Sequence, residues 1–186
     1  MMILKVAPLL VLLLVGCAQS SAREAARVAR RDGEPNGGGL AAQADELMKE
    51  GDATRAAQYY EAAYRAGAAR VLPKLLAACV ASRQYALAIE HAEAALARDP
   101  SDGRLRVLLG SLHADTGALV KAREHFELAA SERPGDPDLQ FTVAVFFRDD
   151  AHEPGRADGY FRAYLAIAPT GTHSREAQAS LMKTVQ

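Results

Sequence analysis

The stretch LGSLHADTGALVKAREHFELAASERP, residues 109–134, decides the fold. Leu109-Gly110 stands one helical turn before His113, Ala122 one turn before Phe126, and Pro134 ends the pattern. Two helices joined by a short turn approach closely only where small side chains face one another, and Gly110 with Ala122 supplies such a contact. Phe126 then fills the wider gap toward the next pair of helices. Pro134 lacks an amide hydrogen and stops the second helix.

The pattern recurs on both sides. Ala56, Ala88, Ala122 and Ala157 lie 32, 34 and 35 residues apart, and four positions after them stand Tyr60, Ala92, Phe126 and Phe161. Seven positions after the same alanines come Ala63, Ala95, Ala129 and Tyr164, and twelve after them Ala68, Pro100, Pro134 and Pro169. Upstream, the partner helices read Gln43-Ala44 with Leu47, Leu75-Leu76 with Cys79, and Val143-Ala144 with Phe147. A register held over four units means a repeat architecture and not a single closed core. Asp102, and Asp136 followed by Pro137, are placed to cap first helices.

This registered recurrence resembles the tetratricopeptide repeat (TPR), over Leu40 to Thr170. Its signature positions here are Ala56, Ala88, Gly110, Ala122, Phe126, Ala157 and Phe161. The resemblance implies an all-α solenoid of about four helix-turn-helix repeats, over 40–68, 69–102, 103–136 and 137–170. The tryptophan of the family pattern is absent. Leu76 and Tyr164 replace small residues, and one extra residue is expected near Glu153-Pro154-Gly155. Ala177, Leu181 and Val185 recur at helical spacing, so 172–186 is predicted as a capping helix with Arg175, Glu176 and Lys183 toward water.

The N-terminus reads as an address. Lys5 gives a positive start, Val6 to Val15 is apolar apart from Pro8, and Gly16-Cys17 closes it. Ten apolar helical residues reach roughly 15 Å, too short for a hydrocarbon core of about 30 Å. Residues 1–16 are therefore expected to be a cleaved signal peptide. Leu14-Val15-Gly16-Cys17 resembles the bacterial lipobox, which implies lipid on Cys17. Ala18-Gln19 lacks the Asp that retains such proteins in the inner membrane, implying a lipid anchor in the outer membrane, facing the periplasm. Residues 17–39, with interleaved arginines and acids and then Pro35-Asn36-Gly37-Gly38-Gly39, are predicted to be a flexible tether.

A net charge of -1 over 186 residues gives no footprint for nucleic acid. No phosphate-binding glycine loop, zinc-protease motif, nucleophile elbow or dinucleotide fingerprint is present, so neither an enzyme nor a cofactor is expected. His91, His113 and His125 lack metal-ligand spacing within a helix and are read as packed or surface side chains, with no metal site. Cys79, flanked by apolar residues, reads as a buried structural thiol.

In TPR arrays the first helices line a concave groove, and by resemblance its residues here are Met48, Lys74, Arg104, Val107, Ser111, Phe141, Val145 and Arg148, with Asp138 beside them. Phe141, Val145 and Arg148 follow one another at helical spacing on one stripe. Ala41 and Asp45 occupy the early positions of a chaperone-type carboxylate clamp and argue against it. Leader plus repeats resembles pilotins and assembly lipoproteins of type IV or Tad pilus secretins. The expectation is a scaffold for a cell-envelope complex, with a protein partner, no small-molecule substrate and a membrane contact through lipid. Barrel assembly or regulation of a peptidoglycan enzyme is the alternative, and a metal-dependent enzyme or small-ligand receptor the rival of another class.

Overall fold

The computed structural model describes residues 37–184. The leader, Cys17, most of the predicted tether, Val185 and the side chain of Lys183 lie outside the described residues. Among the described residues the fold is all-α, with nine α-helices and no strand. They are α1 (Gly37–Lys49), α2 (Ala53–Arg65), α3 (Leu72–Ala81), α4 (Tyr85–Arg98), α5 (Gly103–Asp115), α6 (Leu119–Glu132), α7 (Pro137–Val145), α8 (Pro154–Ile167) and α9 (Ser174–Thr184). A 3-10 turn, Ala69–Val71, leads into α3, and α7 continues as one π-helical turn, Phe146–Asp150. The chain divides into two compact units, through Ala88 and from Ile89 on, the division falling within α4.

Local chemistry sets the helix ends. Asp102 accepts from the amides of Arg104 and Leu105, and Asp136 from that of Leu139, so both expected caps form. Asp52 does the same for Arg55 and also holds its guanidinium at 2.5 Å. Helices α4, α6 and α8 each end two residues before Pro100, Pro134 and Pro169. Each first helix reverses over three residues, and the first three reversals share a six-to-one hydrogen bond, from Asp52 to Leu47, Gln84 to Cys79 and Ala118 to His113. The left-handed residue of the four turns is Gly51, Arg83, Gly117 or His152.

The signature positions form the interior. Ala56, Ala88, Ala122 and Ala157 are all buried, as are Tyr60, Ala92, Phe126 and Phe161 four residues on. In the second unit the aromatics join into one cluster: Phe126 lies 4.9 Å from Phe146, and Phe147 stacks 5.4 Å from Tyr160. Arg156 sits 4.7 Å above the Phe147 ring. Helix α9 closes this cluster with buried Ala177 and partly buried Leu181, as expected of the capping helix.

Three details depart from expectation. Helix α1 begins at Gly37, not after Gly39, so the last three glycines of the predicted tether are helical. A β-carbon on Gly37 would stand 2.4 Å from the Ala68 methyl and 2.7 Å from the Ala63 carbonyl oxygen, and it is the missing side chain that lets this turn dock on the end of α2. Gly110 makes room for Phe126, whose ring lies 2.9 Å from where its β-carbon would be, so the small residue accommodates the aromatic. Finally, the extra residue of the fourth repeat sits in the first helix. N-caps Asp102 and Ala118 are 16 positions apart, but Asp136 and Glu153 are 17 apart, and the π turn absorbs the surplus. The turn hydrogen bond there runs six residues back, from Glu153 to Phe147.

Candidate protein-binding site

In the first unit the predicted groove residues are Met48 and Lys74. Met48 is half-buried near the end of α1, and the Lys74 ammonium is already engaged, donating to both oxygens of Asp45 at 2.7 and 2.8 Å. Tyr60 also donates to Asp45. The hydrogen bonds from these two residues, Lys74 foremost, hold the Asp45 carboxyl below the usual carboxylate range, while burial pushes the Tyr60 hydroxyl up. Asp45, which in the sequence stands as an obstacle to a clamp, is instead the acceptor that ties α1, α2 and α3 together.

In the second unit Arg104, Val107, Asp138 and Thr142 line one cavity of about 300 Å³ between α5 and α7, with Leu139 at its floor and Arg133 and Asp136 at its edge. Arg133 is spoken for, donating to the Gly103 carbonyl and to Asp136, each at 3.1 Å. Arg104 and Asp138 are exposed, and neither side chain has a partner among the described residues. The wall thus carries one available guanidinium and one available carboxylate beside the apolar Val107 and Leu139. Ser111 donates to the Val107 carbonyl at 3.2 Å, and Val145 is half-buried against the core.

Phe141 and Arg148 do not share a groove stripe with Val145. Phe141 is buried, stacked 4.0 Å from His173 and edge-on to Phe161 and Tyr164 at 5.8 and 5.5 Å. It is a core residue, because α8 and the segment leading into α9 cover its face. Arg148 lies within the π turn, where the surplus residue turns the side chains off the α-helical register. It lines a separate cavity, with its guanidinium 5.4 Å from the Phe161 ring.

The histidines do not gather around an ion. His113 and His125 stack at 5.5 Å across α5 and α6, and no group of three His, Cys, Asp or Glu among the described residues is placed to hold a metal. Burial lowers both imidazoles; Lys121 adds to the effect at His113, and His113 and Arg106 at His125. Cys79 is buried, and that burial pushes its thiol up to about 11. No described helix is long and apolar enough to cross a membrane.

A tetratricopeptide repeat family model matches residues 78–137. Solved structures share the fold at low identity. The chain is similar to YrrB, described as a TPR protein with an unusual peptide-binding site, at 18% identity and a TM-score of 0.67, over 91% of this chain and 87% of that one. MamA (41-end) from Desulfovibrio magneticus RS-1 aligns at 20% identity and 0.66, over 86% and 90%. Pseudomonas aeruginosa pilF aligns at 19% and 0.63, over 95% and 80%. No curated protein matches the sequence. The all-α TPR architecture is thereby established for this chain.

Proposed function

We propose that this protein is a non-enzymatic scaffold, anchored by lipid at Cys17 to the periplasmic face of the outer membrane, that holds an extended segment of a partner protein between α5 and α7. The observation that carries this reading is the available Arg104 guanidinium and the available Asp138 carboxylate in one apolar-floored cavity. A chain crossing it offers a carboxylate or carbonyl to Arg104 and an amide or ammonium to Asp138, while Val107 and Leu139 meet a side chain between. YrrB, with a peptide-binding site on the same fold, supports a peptide as the ligand class. Leader plus repeats supports a cell-envelope complex, with pilus or secretion machinery as the process; the fold likeness to Pseudomonas aeruginosa pilF is compatible with it.

Affinity capture of the membrane-anchored protein from its own cells tests both parts. A secretin or another pilus subunit is expected with the wild type and is expected to be lost from an Arg104→Glu, Asp138→Lys double variant that keeps its helical circular dichroism. A barrel-assembly subunit or a murein hydrolase would move the process to the alternative. Equal capture by the folded double variant would sink the groove assignment.

A further inference from the structure

Helix α1 is the first element of the described residues, so no second helix precedes it there. In the fourth repeat the preceding helix, α6, covers the first helix: Phe126 lies 4.9 Å from Phe146, and the Arg123 guanidinium 5.9 Å from the Phe147 ring. Phe146 and Phe147 are buried, whereas their counterparts in the first repeat, Glu46 and Leu47, are exposed and half-buried. An ion pair pins the same junction. Glu153, four positions before Ala157, takes Arg123, one position after Ala122, and also Arg156 at 3.5 Å. In the first repeat Asp52, four positions before Ala56, holds Arg55, the counterpart of Arg156. Among the described residues nothing stands where Arg123 would.

The absent counterparts are written in the sequence just before α1. Ala22 lies 34 positions before Ala56, within the 32 to 35 that separate the signature alanines. Ala26 and Ala29 follow it at the fourth and seventh positions, as Ala92 and Ala95 follow Ala88. Ala22-Arg23-Glu24 repeats Ala122-Arg123-Glu124, and Ala29 repeats Ala129. From Ala22 to the start of α1 at Gly37 is 15 positions, the same as from Ala88 to Gly103 and from Ala122 to Pro137.

We propose that residues 22–31 form the second helix of an N-terminal half-repeat and dock on the open side of α1, with Arg23 bound to Asp52 as Arg123 is to Glu153. So short a helix is marginal alone in water, and it is the packing of the Ala22, Ala26 and Ala29 stripe that forms it. Charge favours this occupant. Residues 22–31 carry four arginines against Glu24, while Glu46, Glu50 and Asp52 gather at the end of α1 and its turn. Proximity favours it too, because a segment joined to α1 through residues 32–36 competes at high effective concentration with any helix of another protein. The tether then ends at Ser21. Given the proposed lipid on Cys17, the repeats lie close to the membrane and not on a long leash, and this consequence alone rests on the anchor reading.

Hydrogen–deuterium exchange, read by mass spectrometry on the full chain isolated from its own cells in neutral detergent, tests the docking. Amides within 22–31 are expected to exchange at least about tenfold more slowly than an unstructured chain. An Ala26→Asp, Ala29→Asp variant is expected to abolish that protection and to speed exchange at 43–47 of α1. Val28→Asp, at the position of the exposed Leu128, is expected to change neither. Arg23→Glu leaves the alanine stripe intact and is expected to lose several-fold protection, so it decides the matter should the double variant disturb α1 itself. Unprotected amides at 22–31 in the wild type, protection that Val28→Asp removes as fully as the double variant, or loss of protection with no change in α1 would overturn the proposal. The mass of the peptide containing Cys17 in the same digest reports the lipid, so failure of the anchor and failure of the docking are told apart.

Discussion

Gly51, Arg83, Gly117 and His152 each stand five positions before a signature alanine, and each adopts a left-handed backbone, with φ of 82°, 57°, 77° and 54°. Glycine takes that conformation without steric cost, whereas a side chain there costs about 1 kcal/mol. Arg83→Gly and His152→Gly are therefore expected to stabilise the protein by ~0.5–1 kcal/mol each, and Gly117→Ala to destabilise it by a similar amount. Urea denaturation read by circular dichroism checks the signs; a loss of stability in both glycine variants would contradict the turn geometry. The repeat period is legible because alanine, aromatic and proline recur as residue types, but these turns are not, because the backbone angle recurs while the residue does not. Gly110→Leu is expected to cost about 1–3 kcal/mol or more, since Phe126 already fills its space, while Gly38→Leu, with nothing within 4 Å, is close to neutral. Equal melting temperatures for the two would mean that the first helix of the third repeat does not pack as described.

Between elements, the stacked His113 and His125 make the α5–α6 hairpin acid-sensitive. Unfolded histidines titrate near 6.5. In the fold burial lowers both, aided by Lys121 and Arg106 and opposed by Glu93 and Glu124, so on acidification the unfolded chain takes up protons first. Stability is level above about pH 6.5 and falls as pH drops from there toward the depressed values. The expected outcome is a melting temperature several degrees lower at about pH 5.5 than at about pH 7.5, with the difference reduced in a His113→Gln, His125→Gln variant; an unchanged difference would assign the acid sensitivity elsewhere. Helix pairing is readable in the sequence at this scale, and so is the single surplus residue, but the spacing alone puts it near Glu153 in the turn. A helix can take up one residue as a π turn at the loss of one α-type hydrogen bond, and no residue pattern marks where it will do so. The same shift explains why Phe141, Val145 and Arg148, evenly spaced in sequence, meet a core, a flank and a separate cavity.

For the whole molecule, the proposed membrane attachment is tested at one thiol. Cys17→Ser is expected to leave an unprocessed or soluble chain, because a hydroxyl does not accept the diacylglycerol; wild-type partition into the outer-membrane fraction by the variant would refute the anchor. The groove is legible only in part. Arg104 and Val107 are proposed for it because the resemblance puts groove residues on first helices, and both line the α5–α7 cavity, while the availability of Asp138 and the capture of Lys74 by Asp45 depend on side-chain pairings that no spacing encodes. Cys79 carries a further consequence. If Cys17 carries the proposed lipid, Cys79 is the one thiol of the sequence left unmodified, and it is buried inside the first unit and held in the protonated, unreactive form. Alkylation by a maleimide must then wait for that unit to open, so the labelling rate in mild urea serves as a stopwatch for local unfolding. Comparing that rate with loss of total helicity is expected to reveal whether the unit through Ala88 breathes on its own while the unit from Ile89 on stays shut.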